Sequence, residues 1–343
     1  MIIRSKAPLR LGLAGGGTDV SPYSDNYGGA ILNVTINQYA YATIEPLNNG
    51  KIIFEAVDRK EYQELDAVDR LPITGELDLH RGVYNKIVER FLKKPLGFKL
   101  TTYSDAPPGS GLGSSSTVVT AMLGAFVEWQ QLPLGEYDIA QLAYEIERVD
   151  LAMAGGKQDQ YAATFGGVNF MEFYADDKVI VNPLRVKSKV MNELENNLVL
   201  YYTNTSRISS EIIEDQRKSV NEKKEGSLEA MHKLKEQAYR MKEAILKGEL
   251  NDIGEILDFG WQNKKKMSKS ISNSQIDEIY DAALAAGSIG GKISGAGGGG
   301  FMFFYCPKNT RYKVIEALQN FGGSVKKYNF TNKGLTSWTI KTT

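Results

Sequence analysis

The chain has 343 residues, 42% of them hydrophobic, a length that suits two domain-sized cores rather than one. Lysine plus arginine equal aspartate plus glutamate at 41 each, so no net field draws it to nucleic acid or an anionic membrane, and small-molecule partners are expected. The single Cys306 excludes an internal disulfide and reads as a buried thiol, and the two histidines, His80 and His232, are too far apart in sequence to suggest a zinc site.

Residues 1–6 lack the apolar core of a signal peptide, and no stretch approaches the roughly 18 apolar residues of a membrane helix; a reducing cytoplasm is the expected setting. A first glycine cluster follows at Ala7 to Val20, A-P-L-R-L-G-L-A-G-G-G-T-D-V. Gly29 to Glu45 is rich in β-branched and aromatic residues with partial alternation, and Lys51 to Val57 continues the pattern; both are expected to be sheet strands.

Asp105 to Thr117, D-A-P-P-G-S-G-L-G-S-S-S-T, runs straight into an apolar stretch and predicts a loop feeding a helix from about Ser114 to Gln131. Such a loop is a phosphate cradle. Glycine lets the backbone approach an anion, and the free N–H groups and positive dipole end of the helix attract negative charge. Asp138 is expected to cap another helix reaching about Ala154, followed by G-G-K-Q-D-Q at Gly155 to Gln160.

Composition turns helical near residue 185, which is taken as a boundary between units 1–185 and 186–343, with the active site in the cleft between them. Met231, Leu234, Ala238, Met241 and Ile245 step by three and four, a stripe expected to be core. Lys264 to Lys266 read most simply as a solvated face. Gly290 to Gly300 then holds seven glycines, where 34 in 343 would place about one, and leads into Phe301 to Tyr305, which predicts a buried strand rather than a linker. No internal repeat or low-complexity tract is present.

The P-loop pattern G-x-x-x-x-G-K-[ST] fails at every Gly-Lys pair, because Lys51, Lys157 and Lys292 are followed by Ile52, Gln158 and Ile293. Gly295-x-Gly297-x-x-Gly300 matches a dinucleotide fingerprint formally, but a strand follows where that fingerprint needs a helix. Taken in order, A-P-L-R with G-G-G-T-D, P-P-G-S-G-L-G-S-S-S and K-I-S-G-A-G-G-G-G resemble the three signature motifs of the GHMP kinases, the superfamily of galactokinase, homoserine kinase and mevalonate kinase. The resemblance covers most of the chain. Within it, G-G-G-T-D, Gly28-Gly29-Ala30 before a strand, and G-G-K-Q-D-Q are most similar to the D-glycero-D-manno-heptose 7-phosphate kinases.

The resemblance implies a two-domain α+β fold, ATP and Mg²⁺ as cofactors, and a small phosphosugar substrate. It implies that Pro108, Gly109, Gly111, Gly113, Ser114, Ser115 and Ser116 hold the nucleotide phosphates, with Ser115 also on the metal. The second metal ligand should be a carboxylate, since Mg²⁺ favours oxygen donors. With Ile139, Leu142, Ala143, Ile146 and Val149 as the apolar stripe, 100° phasing puts Glu145 and Glu147 on opposite borders and Asp150 within it, which leaves the choice open. The family's metal carboxylate lies about a dozen residues before its catalytic aspartate, which selects Glu147; Glu145 is then expected to be solvated or ion-paired and Asp150 buried.

Asp159 matches the family's proton-accepting or orienting aspartate and Arg10 the cation beside it, a pairing suited to phosphoryl transfer. Asp19, with Gly16, Gly17 and Thr18, matches the sugar-binding motif, and Gly295 and Gly297 of the third motif are assigned to the same end. Gly17 stands where that motif normally carries histidine, so the sugar must be held differently there. A sugar that already carries phosphate needs a second cationic pocket, for which Lys157 and Arg207 are the candidates. Two other readings remain: a kinase of an unphosphorylated fucose- or galactose-type sugar, and a silent ATP- and sugar-binding sensor. The presence of Arg10, Ser115, Glu147 and Asp159 argues against the sensor.

Overall fold

The computed structural model describes residues 1–205, 209–222 and 225–341. The fold is α+β and is built on two sheets. The strands of the first are β1 (Ile2–Ala14), β2 (Gly29–Pro46), β3 (Lys51–Ala56), β4 (Glu61–Asp66), β5 (Phe98–Ser104), β6 (Val168–Phe173) and β7 (Val179–Pro183). Those of the second are β8 (Leu198–Tyr202), β9 (Gly290–Ile293), β10 (Phe301–Tyr305) and β11 (Ser324–Lys326), and β12 (Thr336–Ile340) returns to the first.

The first sheet runs β12-β1-β2-β5-β3-β4, with β6 on β2 and β7 on β6. The long β2 is its spine: Gly29–Val34 pair with β6 and Ala40–Pro46 with β5. Opposite β2, the register of β1 shifts between Pro8 and Arg10 and again between Gly12 and Ala14, the kind of bulge that re-aims a side chain near a site. The helix Ser114–Gln130 packs on β1 and β2 and buries Met122 and Phe126 with Ile44, Phe98 and Leu100.

The second sheet is antiparallel in the order β11-β8-β10-β9, and Phe301–Tyr305 is its central, fully buried strand. Each such aromatic contributes roughly 1.5–3 kcal/mol by burial, which is what holds a strand so close to a glycine run. The stripe on the helix Glu225–Lys247 serves two cores. Ala238, Met241 and Ile245 meet Leu9, Leu11 and Phe303 between the sheets, while Met231 and Leu234 pack with Trp261 and Phe304. Cys306 is buried, and burial pushes its thiol up to about 12.

The proposed division near residue 185 separates the two sheets in sequence except for β12, which pairs with β1 and so ties the end of the chain to the first unit. No helix among the described residues is long and apolar enough to cross a membrane.

The segment after residue 135 departs from the expected single helix. The α-helix is Glu136–Tyr144 with Gly135 as its cap, and Asp138 accepts the Gly135 N–H at 2.8 Å from one turn inside. A π-helical turn follows at Glu145–Asp150, with the Leu151 N–H donating to the Ile146 carbonyl at 3.0 Å, five residues back. That wider turn breaks the 100° phasing. Val149 is therefore 64% exposed, and Asp150, expected to be buried, lies near the surface with its carboxylate 2.7 Å from the Lys86 ammonium.

Candidate active site

A cavity of about 850 Å³ opens between the two glycine loops, lined by the first-motif residues Arg10, Gly17 and Asp19 and by the nucleotide-loop residues Pro108, Gly109, Gly111 and Gly113 to Ser116. Gly109, Gly111 and Gly113 all adopt positive φ. Gly113 is the residue before the helix Ser114–Gln130 and carries no capping side chain, which leaves the first-turn N–H groups facing the cavity. Ser114 Oγ donates to the Pro107 carbonyl at 3.4 Å and Ser116 Oγ accepts from Gln160 Nε2 at 3.2 Å. Among the described residues no partner takes the Ser115 hydroxyl.

The nucleotide loop and the third motif meet backbone to backbone. A Cβ on Gly111 would lie 2.3 Å from the Ser294 carbonyl oxygen, and one on Gly295 would lie 2.6 Å from Gly111 Cα. Glycine is required there by contact as well as by φ. Ser294 Oγ donates to the Gly111 carbonyl at 2.8 Å, and the Phe301 N–H donates to the Ser110 carbonyl at 2.9 Å.

Arg10 joins these pieces. Its guanidinium donates to Asp159 Oδ1 (Nε at 2.7 Å, Nη2 at 2.6 Å) and, through Nη1, to the Gly111 carbonyl at 2.6 Å. Asp159 lies in the first turn of the helix Gln158–Phe165 and faces the cavity with a side chain 22% exposed. Asp19 lies deeper. Its Oδ2 accepts the N–H groups of Lys157 (2.9 Å) and Gln158 (3.0 Å), while Oδ1 is buried without a partner. Burial pushes its carboxyl up, the two N–H donors oppose that, and the neighbouring Asp159 charge adds to it.

At the serine end, Glu147 is fully buried; Gln160 Nε2 donates to its Oε2 at 2.5 Å, and Arg148 lies 3.7 Å from Oε1, which has no hydrogen-bond partner. An orphaned carboxylate oxygen and a free serine hydroxyl are hard donors that fit a small divalent cation. Glu145 is turned away, ion-paired with Arg90 at 3.2 Å and Lys86 at 3.7 Å.

Glu147, Asp159 and Gly295 also line the cavity, but not every expected site residue reaches it. Thr18 is buried, its hydroxyl bonded to the Gly15 and Ala30 carbonyls, so it shapes the turn. Gly297 packs on Ile271. Gly16 is not among the lining residues; a Cβ there would lie 3.8 Å from Lys264 Nζ, which does line the cavity. Lys157 is 1% exposed with its ammonium 2.7 Å from Asp177 and 3.8 Å from Asp25; its backbone N–H holds Asp19, and it is not among the residues that line the cavity. Arg207 lies outside the described residues.

Lys264, read in the sequence as part of a solvated face, is 3% exposed and lines the cavity. It donates to the Gly295 carbonyl. Burial, then the Arg10 charge, lower it to about 8, with Asp19 opposing. A signal for it exists: Leu257, Gly260, Trp261 and Lys264 fall at i, i+3, i+4 and i+7 on the buried face of the helix Leu250–Lys264.

Comparison with known proteins gives this arrangement its family. The GHMP kinases N-terminal domain model matches residues 78–167 and the GHMP kinases C-terminal model residues 241–324. Over 338 residues the chain is 50% identical to a D-glycero-alpha-D-manno-heptose 7-phosphate kinase of Campylobacter jejuni subsp. jejuni serotype O:2, covering 98% of this chain and 99% of that one. The chain belongs to the GHMP kinase family. Among solved structures, a D-glycero-D-manno-heptose 1-phosphate kinase from Bacteroides thetaiotaomicron superposes with a TM-score of 0.85 at 47% identity, over 99% of this chain and 100% of that one. A putative sugar kinase from Campylobacter jejuni gives 0.82 at 49% identity, over 99% and 98%. As a GHMP kinase, the chain has its kinase motifs gathered around one cavity.

Proposed function

We propose that the protein is an ATP-dependent sugar 1-kinase that converts D-glycero-D-manno-heptose 7-phosphate into the 1,7-bisphosphate, releasing ADP and a proton. The observation that carries the chemistry is the Arg10–Asp159 pair, which faces the same cavity as the uncapped end of the helix Ser114–Gln130. The sugar rests on identity with the heptose phosphate kinase above, near one half over almost the full length.

In this reading Asp159 accepts or orients the proton of the C1 hydroxyl. Arg10 fixes the carboxylate and faces the charge that develops as phosphate arrives. The N–H groups at Ser114 to Ser116, with the flanking glycines, receive the nucleotide phosphates. Ser115 and Glu147 would hold Mg²⁺, which when bound neutralises phosphate charge. Asp19, with one free carboxylate oxygen, accepts from a sugar hydroxyl.

The test compares the 7-phosphorylated and dephosphorylated heptoses by coupled ADP release, with ³¹P NMR to locate the new phosphate. Charge-assisted hydrogen bonds to a phosphate are each worth about 1.5–3 kcal/mol, so the dephosphorylated sugar is expected to lose roughly a hundredfold or more in kcat/KM. Equal rates would favour a kinase of unphosphorylated sugars, and phosphate appearing away from C1 would overturn the regiochemistry.

A further inference from the structure

A kinase of a phosphosugar must recognise the phosphate its substrate already carries, and this requires a cation that faces the cavity and is not committed elsewhere. Lys157 is excluded because it is not among the residues that line the cavity. Among the described residues four cations line the cavity: Arg10, Arg59, Arg148 and Lys264. Arg10 is locked to Asp159 and Gly111. Arg59 is ion-paired to Glu61 at 2.7 Å and is 39% exposed. Arg148 donates to the Gly156 carbonyl at 3.3 Å and lies beside Glu147 at the metal end.

Lys264 differs from all three. Among the described residues no carboxylate lies within ion-pair distance, and one backbone carbonyl, that of Gly295, accepts from an ammonium that carries three protons. A buried ammonium left so is costly unless something completes its shell.

The first motif supplies the room. Gly16 does not adopt positive φ, and its nearest neighbours, Lys264 Nζ and Lys292 Nζ, lie 3.8 and 3.9 Å from an ideal Cβ. The backbone therefore does not demand glycine at this position. What the missing side chain does is leave the space beside these two ammonium groups unfilled. Lys292 is itself tied to the Gly12 carbonyl at 2.9 Å and is not among the residues that line the cavity.

We propose that Lys264 is the specificity-determining residue that binds the resident phosphate of the sugar, with Gly16 kept free of a side chain to admit it. The proposal rests on the phosphosugar reading above. A phosphate dianion supplies the acceptors and the countercharge the site lacks, and Asp19 Oδ1 beside it takes a hydroxyl of the same sugar.

The experiment measures kcat/KM for heptose 7-phosphate and for heptose in the full-length wild type, Lys264→Met, Lys264→Arg and Gly16→Val, and reads the ratio between the two sugars. Lys264→Met is expected to lower the ratio by about tenfold to a hundredfold, the scale of one charge-assisted hydrogen bond, while Lys264→Arg keeps most of it. Gly16→Val crowds the same ammonium without altering it and is expected to lower the ratio too, so it decides the matter if Lys264→Met fails to fold. A wild type that prefers the phosphosugar, with Lys264→Met keeping that preference or losing rate equally on both sugars, overturns the proposal and leaves the phosphosugar reading standing. A wild type without preference overturns that reading itself.

Discussion

The Arg10 guanidinium and the Asp159 carboxylate meet at 2.6 Å across 149 residues of sequence, one from a bulged strand and the other from the first turn of a helix. Arg10 follows a register shift in β1 and reaches the nucleotide loop, where the Gly111 carbonyl takes another of its N–H groups.

Replacing Asp159 by Asn removes the carboxylate charge while keeping the shape, and so tests its proposed part in handling the acceptor's proton. Turnover is expected to fall at least about a hundredfold, with ATP affinity within a few-fold, as read by steady-state kinetics and nucleotide titration. Near-normal kcat in a folded variant would remove Asp159 from the chemistry.

Ser115→Ala and Glu147→Gln should each raise the Mg²⁺ concentration that gives half-maximal activity. Glu145→Gln should not, because its carboxylate is spent on Arg90 and Lys86. A larger defect in Glu145→Gln would place the metal on the wrong side of the π turn.

Gly111→Ala drives a methyl group into the Ser294 carbonyl at a φ of +84°. A loss of about 1–3 kcal/mol in stability is expected, the usual scale for a strained backbone, together with lost activity. Denaturant melts with unchanged midpoint would contradict the close approach.

Lys264 carries a pH signature of its own. Its ammonium is lowered from 10.5 to about 8 by burial and by Arg10, with Asp19 opposing. Between those values the unfolded chain binds more protons than the folded one, so stability rises with pH across the window. Lys264→Met is therefore expected to melt above the wild type at pH 7, with the gap narrowing toward pH 10. Parallel melting curves across that range would show that the ammonium is not desolvated.

Much of the site was legible because glycine density, helix caps and motif order are local signals. Gly113, the serines and Phe301–Tyr305 stand where the sequence placed them. Asp150 and Val149 were misread because a π turn leaves no mark in a 100° wheel. The surroundings of Lys157 and Lys264 were hidden for a related reason. A lysine's neighbours in sequence do not reveal whether its ammonium meets carboxylates from other segments, as at Asp25 and Asp177, or a lone carbonyl across a cleft, as at Gly295. The return of β12 to β1 was equally invisible, since strand partners far apart in the chain share no local pattern.

The back-to-back seating of Gly111 on Gly295 bears on whether the two loops can part. Parting the two loops would break the Ser294–Gly111 and Ser110–Phe301 hydrogen bonds and strip Arg10 of an acceptor, all at once. The seam is therefore a fastened joint, whose three contacts are kept or lost together. The cavity floor is thus set by glycine backbone from two distant segments of the chain, and a side chain added at either glycine would force them apart.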